Sequence, residues 1–403
     1  MNANSTKTAA RRKSAPEKPE KPNPDFPLFP HATRRWAKKI KGRLHYFGHW
    51  DDPDGALDKY LREKDYLHNG KRVPVVTDGL TVGDLCNKFL TWKKQLMEAG
   101  ELTPRSFGDY HRTCRFVVAA FGKWQLVDEL DATDFQKLRV AMGKDRGPVT
   151  LSNEITRTRV VFKYADDQGL IARPVRFGPA FKKPTRKTLR KSRAAHKQAN
   201  GLRMLEADQI RKLLDVAPAQ MKAMILLGVN CGLGNTDCAN LPQTAVDLDA
   251  GWLDYAREKT GVERRCRLWP ETVEALRAAI DSRPAPNDKS DARIVFLTHR
   301  GKRWVRTKLT GEDENLKQSL VDGIGREFAK LLTSESMKRP GLSFYCLRHV
   351  FQTIGEECGD VVAVRGIMGH VDSSMSDPYR ERISDDRLRR ATDHVRGWLF
   401  PKK

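Results

Sequence analysis

Apolar residues recur along most of this chain at three- and four-residue intervals, interrupted by short alternating stretches, which predicts helices joined by small sheets. In residues 33–50, Trp36 and Ile40 alternate with basic side chains. Lys41-Gly42 signals a turn, and Leu44 and Tyr46 continue a second short strand. Asp52-Pro53 then opens a helix with Ala56, Leu57, Tyr60 and Leu61 at helical spacing. The expected product is a small basic β-ribbon braced by one helix.

From Thr81 to about Ile171 the pattern is helical throughout. Thr81 to Asp84 has the form of a capping box ahead of Leu85, Phe89 and Trp92. Thr103-Pro104 starts a second helix, with Phe107, Tyr110, Cys114, Val117, Val118 and Phe121 on its buried side and Gly122 at its end. Thr133 is expected to cap a third helix, and Ser152 a fourth that ends at Gly169. Beyond residue 203 the chain is mixed. Helices are expected at Leu205–Leu214, Met221–Val229 and within Gly232–Leu241, then strands Trp252–Arg257 and Val262–Leu268 around a Lys259-Thr260-Gly261 turn. A helix over Pro270–Ile280, a strand over Ile294–Leu297 and helices around Leu316–Leu332, Cys346–Cys358, Val361–Met368 and Ser384–Trp398 complete the reading.

These patterns divide 403 residues into a disordered tail (1–27), a β-ribbon domain (28–76), a helical domain (78–180), a basic linker (181–200) and a mixed α/β domain (201–403). The fold class is multidomain, mainly α with α+β. No apolar run is long enough to span a bilayer, and the first residues carry no apolar leader, so a cytoplasmic location is expected. The seven cysteines are scattered without metal-ligand spacing, which favours reduced, mostly buried thiols and no metal site.

Charge changes the picture. Lys and Arg number 74 against 51 acidic residues, a net +23, which calls for a polyanionic partner. A membrane surface is the competing polyanion, and the clustering of charge favours nucleic acid. Arg34, Arg35, Lys38, Lys39, Lys41 and Arg43 interleave with aromatic residues on the ribbon, as a sheet laid on DNA requires. Between Lys182 and Lys197 stand eight Lys or Arg and no acid. Lys182, Lys183, Arg186, Lys187, Arg190, Lys191 and Arg193 there suit a strap crossing the phosphate backbone.

Breaking a phosphodiester without metal or nucleotide requires a nucleophile, cations on the nonbridging oxygens and an acid for the leaving oxygen. The sequence carries no nucleotide-binding loop, and no cofactor is expected. Its C-terminal half holds the run Tyr345-Cys346-Leu347-Arg348-His349, then Gly369-His370, then Tyr379 nine residues further on. This series resembles the H-x-L-R-H, L-G-H and Tyr landmarks of the tyrosine recombinase (phage integrase) family. Cys231-Gly232-Leu233 with Asp237 resembles that family's T-G-L-R-x-x-E segment, and Lys259-Thr260-Gly261 stands where its catalytic lysine does. The upstream ribbon and helical regions resemble its arm-binding and core-binding domains.

The resemblance implies that Tyr379 attacks the scissile phosphate, leaving a 3′-phosphotyrosyl link and a free 5′-hydroxyl. Arg348 would grip a nonbridging oxygen, His370 would donate to the phosphate, Lys259 would protonate the leaving oxygen, and Tyr345 would take the place of the first histidine. It also implies double-stranded DNA as partner and a homo-oligomer assembled on it, with an apolar C-terminal stripe (Leu388, Val395, Trp398, Leu399, Phe400) docked on a neighbour or on its own domain. There is one clear departure: the first arginine of the family is Gly234 here, followed by Asn235. Arg264, Arg265 or Arg267 on the adjacent strand is expected to supply the missing charge. A catalytically weakened relative that only binds DNA is the alternative reading, and a type IB topoisomerase-like enzyme would share the chemistry.

Overall fold

A computed structural model describes residues 18–69, 79–311, 316–371 and 380–401. The chain forms two compact units, residues 1–79 and 80–403. In the first, strands β1 (Phe29–His31), β2 (Arg35–Ile40) and β3 (Arg43–His49) make an antiparallel sheet in that order, followed by helix α1 (Pro53–His68). Lys41 (φ 47°) and Gly42 (φ 79°) both take the left-handed conformation, the tight hairpin turn that matches strand twist. Asp52 caps α1 through the Gly55 amide, and Pro53 at the first position needs no amide partner. Trp36, Ile40, Phe47, Ala56 and Tyr60 form the core between sheet and helix, together with Phe26 and Leu28. Phe26 is 2% exposed and lies edge-on to Trp36, so the folded part begins ahead of residue 28 and the expected tail is shorter. The local pattern around Phe26 hid this, because prolines break the short apolar run of Phe26, Leu28 and Phe29.

The second unit opens with helices α2 (Val82–Glu98), α3 (Pro104–Phe121), α4 (Ala132–Gly143) and α5 (Pro148–Asp167) around a core centred on Phe89, Phe135 and Phe162. Two starts differ from expectation. Asp131, not Thr133, caps α4, in a reciprocal box with Asp134. Helix α5 begins at Pro148 with no side-chain cap, one turn before Ser152. The expected basic linker is largely helix α6 (Arg186–Asn200), capped by Thr185. Lys, Arg, Ala and Leu are strong helix formers, and no Gly or Pro interrupts the run, so local propensity prevails over charge.

Helices α7 (Ala207–Val216), α8 (Ala219–Asn230) and α9 (Asn235–Asn240) follow, then a small antiparallel sheet of β4 (Val246–Asp247), β5 (Trp252–Asp254) and β6 (Arg265–Arg267). The β5–β6 strands are shorter than expected, but bonds from the Tyr255 amide to Arg264 O and from the Arg257 amide to Val262 O (2.9 Å each) continue the hairpin. Helix α10 (Pro270–Asp281) packs on α8, whose residues from Ala223 to Asn230 are all buried. Asn230 is fully buried: its Oδ1 accepts from the Trp269 amide (2.9 Å) and the Thr272 hydroxyl (3.0 Å), and its Nδ2 donates to Arg267 O (2.9 Å).

The strand expected at Ile294–Leu297 does not form. These residues are buried, but they pair through a bridge from Ile294 to Pro242, and a proline cannot donate to a ladder. The residues from Lys317 onward, expected to be helical, instead pair as β8 (Lys317–Asp322) with β7 (Val305–Thr310), ahead of α11 (Gly323–Ser334). This hairpin lies against α3, and Gln318 Nε2 donates to Arg105 O at 3.0 Å. Helices α12 (Cys346–Glu356), α13 (Val361–Met368) and α14 (Asp385–Leu399) complete the unit. Leu388, Val395 and Leu399 of α14 are buried in their own domain, and Trp398 and Phe400 pack against the same core. Bidentate pairs of Arg396 with Glu271 and of Arg387 with Asp360 hold α14 there. Of the two fates left open for the C-terminal stripe, the intramolecular one is observed. The seven cysteines are free, six of them buried.

Candidate active site

Arg348 is the third residue of α12 and points inward with Leu347, Phe351 and Ile354, leaving 2% of its surface exposed. Its Nη1 donates to Gly232 O, and its Nη2 donates to Met368 O (2.8 Å) and lies 2.8 Å from His370 Nε2. No carboxylate hydrogen-bonds it among the described residues. Burial pushes this guanidinium down to about 10, helped by the nearby Arg257 and Arg264 charges and opposed by Tyr345 and Asp237. It stays cationic at neutral pH. A buried cation held by backbone carbonyls and an imidazole is costly, and it is the group an incoming anion would neutralise.

Helix α13 delivers His370. Gly369 ends the helix in the left-handed conformation (φ 61°), and the His370 amide bonds back to Arg365 O (3.0 Å), a C-cap that turns the imidazole toward Arg348. A Cβ on Gly369 would lie 2.7 Å from Arg264 Cδ and 3.0 Å from Arg257 Cβ, so both its conformation and its neighbours require glycine. Burial, then Arg348, Arg257 and Arg365, hold the His370 imidazole below its usual range.

The β5–β6 hairpin docks on the same residue. Thr260 Oγ1 and Arg257 Nη1 donate to Gly369 O at 3.2 and 3.3 Å. Lys259, adjacent to Thr260, is therefore held beside His370 with an exposed side chain. Tyr345 precedes α12, 45% exposed, with its ring edge-on to His349. Gly234 precedes α9 and faces it: a Cβ there would meet Tyr345 Cε2 at 3.4 Å, ordinary contact, and φ is −97°. Arg348 and His370 thus lie together with Tyr345 nearby, and Lys259 stands exposed on the turn whose Thr260 is bonded to Gly369. Tyr379 lies outside the described residues.

Asp237 acts structurally, as its helix-start position suggests. Its Oδ2 accepts from the Gly234 amide (2.9 Å), and its Oδ1 accepts from Arg264 Nη2 (3.1 Å). Arg264 also donates from Nε to Tyr255 O (2.8 Å), and its side chain is fully buried. Of the other two candidate replacements, Arg265 is paired with Asp254 and Asp385, and Arg267 with the carbonyls of Ala250 and Gly251. Sequence reasoning missed Arg257, whose only signal is its place two residues before Lys259.

The expected DNA contacts are mostly exposed. On the first unit Arg34, Arg35, Lys39, Lys41 and Arg43 are open to solvent, with Leu44 and Tyr46 beside Lys39 and Ala37 across the strand pair. Lys38 differs: it is half-buried, donates to the Tyr60 hydroxyl (2.8 Å) and so braces sheet to helix. On the second unit Lys182, Lys183, Arg186, Lys187, Arg190, Lys191 and Arg193 are exposed, while Leu189, Ser192 and His196 form the half-buried side of α6. A cleft between α8, α11 and β7, lined by Gln220, Lys302, Trp304, Arg306 and Arg326, contains none of the converging residues. Geometry and buried charge single out the Arg348 cluster, and a phosphate within a duplex needs an open surface rather than a deep pocket.

Residues 203–384 match the phage integrase family. No curated protein sequence matches the chain. Among solved structures, the Tn1549 transposon integrase in complex with transposon right end DNA is similar over 79% of this chain and 100% of that one, at 14% identity and a TM-score of 0.55. A lambda integrase dimer bound to a COC′ core site is similar over 91% and 98% of the two chains, at 13% identity and a TM-score of 0.52. A lambda integrase tetramer bound to a Holliday junction gives 90% and 98%, with 14% identity and a TM-score of 0.52.

Proposed function

Through residues 203–384 the chain belongs to the phage integrase family, and from that premise we propose that it is a site-specific recombinase that cuts and reseals double-stranded DNA through a phosphotyrosyl link. The observation that carries this reading is the buried Arg348, held by carbonyls and His370 and paired with no carboxylate among the described residues. The Tyr379 phenolic oxygen attacks phosphorus as its proton departs. The bond to the 5′-oxygen breaks, and that oxygen takes a proton from Lys259. The 3′-phosphate stays on the tyrosine until a 5′-hydroxyl attacks it in reverse. Each step exchanges one phosphodiester for another, so no energy cofactor is consumed.

The residues divide this work. Arg348 offers a planar pair of donors to nonbridging oxygens. His370, neutral in the free protein, gains a proton-stabilising anion when phosphate arrives, which raises its pKa and makes it a donor. Tyr345 offers its hydroxyl. The exposed face of the first unit suits an arm-type DNA site, and residues 78–180 with α6 suit the core site, where the exposed cations of α6 reach phosphates. The complexes of the similar lambda integrase, a dimer and a tetramer on DNA, support a homo-oligomer here. No described helix is long and apolar enough to cross a membrane. The chemistry fits insertion or excision of a mobile DNA element in the cytoplasm.

The test is covalent trapping on nicked duplexes that lose the 5′-hydroxyl fragment after cleavage. Wild type should yield a detergent-stable protein–DNA adduct, and Arg348→Ala should slow it by about 10²–10³. Absence of any adduct across a pool of randomised core sequences would refute the assignment.

A further inference from the structure

We propose that Arg257 takes over the phosphate-binding task of the arginine absent at position 234. The inference rests on the recombinase reading above and names a further cation of that site. Four arginines stand on the β5–β6 hairpin, and three are held by protein groups, although Arg264 Nη1 is buried without a hydrogen bond. Arg264 is sealed against Asp237 with no side-chain exposure, Arg265 is clamped by two carboxylates, and Arg267 is bound to two carbonyls over the Trp252 ring. Arg257 is half-buried, and its Nη1 donates to Gly369 O at 3.3 Å. No carboxylate among the described residues pairs with it.

Its position is set by the backbone. The Arg257 amide bonds to Val262 O, and the amides of Thr260 and Gly261 bond back to Arg257 O, so the residue starts the tight turn that presents Lys259. The turn is anchored on the carbonyl directly preceding His370, and His370 Nε2 is 2.8 Å from Arg348. Arg257 and Arg264 both crowd Gly369, and the Arg257 charge lies close enough to Arg348 and His370 to lower both. Arg257, Arg348 and His370 make no hydrogen bond to a carboxylate among the described residues, so an incoming anion would find all three available. Gly234, meanwhile, carries no cation, and a Cβ there would make ordinary contact with Tyr345 and Asp237.

The test uses the full chain as wild type, Arg257→Ala, Arg257→Lys, Gly234→Arg and the double variant Gly234→Arg/Arg257→Ala. Inorganic phosphate is titrated into protein carrying nitrogen-15 histidine, and the His370 resonance reports binding at this site independently of turnover. Arg257→Ala should weaken phosphate binding at His370 by about ten-fold or more, Arg257→Lys by less, and the double variant should recover it. On nicked duplexes the adduct rate should fall about 10²–10³-fold in Arg257→Ala and return within roughly ten-fold in the double variant. Equal phosphate affinity at His370 in wild type and Arg257→Ala, with matching melting curves, would overturn the proposal. If Arg257→Ala does not fold, Arg257→Lys decides by the same titration, with unchanged affinity and adduct rate counting against it. A wild type that forms no adduct defeats the recombinase reading, while the phosphate titration still decides Arg257.

Discussion

At the scale of single residues, the site is a balance of buried cations. His349 and His370 are both held below the usual 6.5, each by burial first, then by Arg203 and Arg348 for His349 and by Arg348, Arg257 and Arg365 for His370. The unfolded chain therefore takes up these protons first as pH falls. Below about 6.5 the unfolded state binds more protons than the folded one, so stability is full above that value and is lost as pH drops through the lowered folded values. The melting temperature should fall between about pH 7.5 and pH 5.5, and His370→Gln should flatten that slope. An unchanged slope in the variant would show that His370 is not held neutral. Arg348, His370, Lys259 and Tyr345 were singled out by their resemblance to ordered family landmarks, and Arg348 and His370 lie together in the fold. Arg257 was not, because one arginine among 74 basic residues carries no local mark. For the candidates Arg264, Arg265 and Arg267 the sequence could not show the partners that each meets only in the folded chain.

Secondary-structure elements show the same division. Helices α3, α10 and α13 follow their expected limits because Pro or Gly punctuates them and their apolar faces are periodic. The β7–β8 hairpin was missed because its residues are half-exposed and present neither a clean alternation nor a buried face. Charge misled at α6, where helix propensity decides the conformation and charge decides only what the helix faces. The clasp at Asn230 ties α8 to β6 and to the start of α10, and so fixes the hairpin that carries Arg257 and Lys259. Asn230→Ala would strand the buried Trp269 amide and is expected to cost about 1–3 kcal/mol, read from chemical denaturation. A change within about 0.5 kcal/mol would mean the hairpin is held by packing alone. On the first unit, Lys39→Ala should weaken DNA binding, whereas Lys38→Ala should chiefly lower stability through loss of its Tyr60 contact. Electrophoretic shift and melting curves on the two variants separate these effects, and a reversed pattern would contradict the assignment of faces.

For the whole molecule, a net +23 distributed over a sheet face, α6 and the catalytic cluster implies binding dominated by counterion release. Affinity for duplex DNA should drop steeply between about 50 and 200 mM salt, as expected for ~6–10 phosphate contacts. A division near residue 79 follows the change of composition there, and Phe26, expected in the tail, belongs to the first core. The C-terminal helix could not be assigned from periodicity, since an apolar stripe looks the same whether it meets its own domain or a neighbour, and the observed pairs to Glu271, Asp360 and Arg265 decide the matter. All of this converges on one bond, between the Tyr379 oxygen and a DNA 3′-phosphate. The direct measurement is mass spectrometry of the peptide recovered from the trapped adduct after nuclease digestion. The account predicts a nucleotide 3′-phosphate on Tyr379 and no adduct with Tyr379→Phe; an adduct that persists in that variant, or maps to another residue, would contradict it.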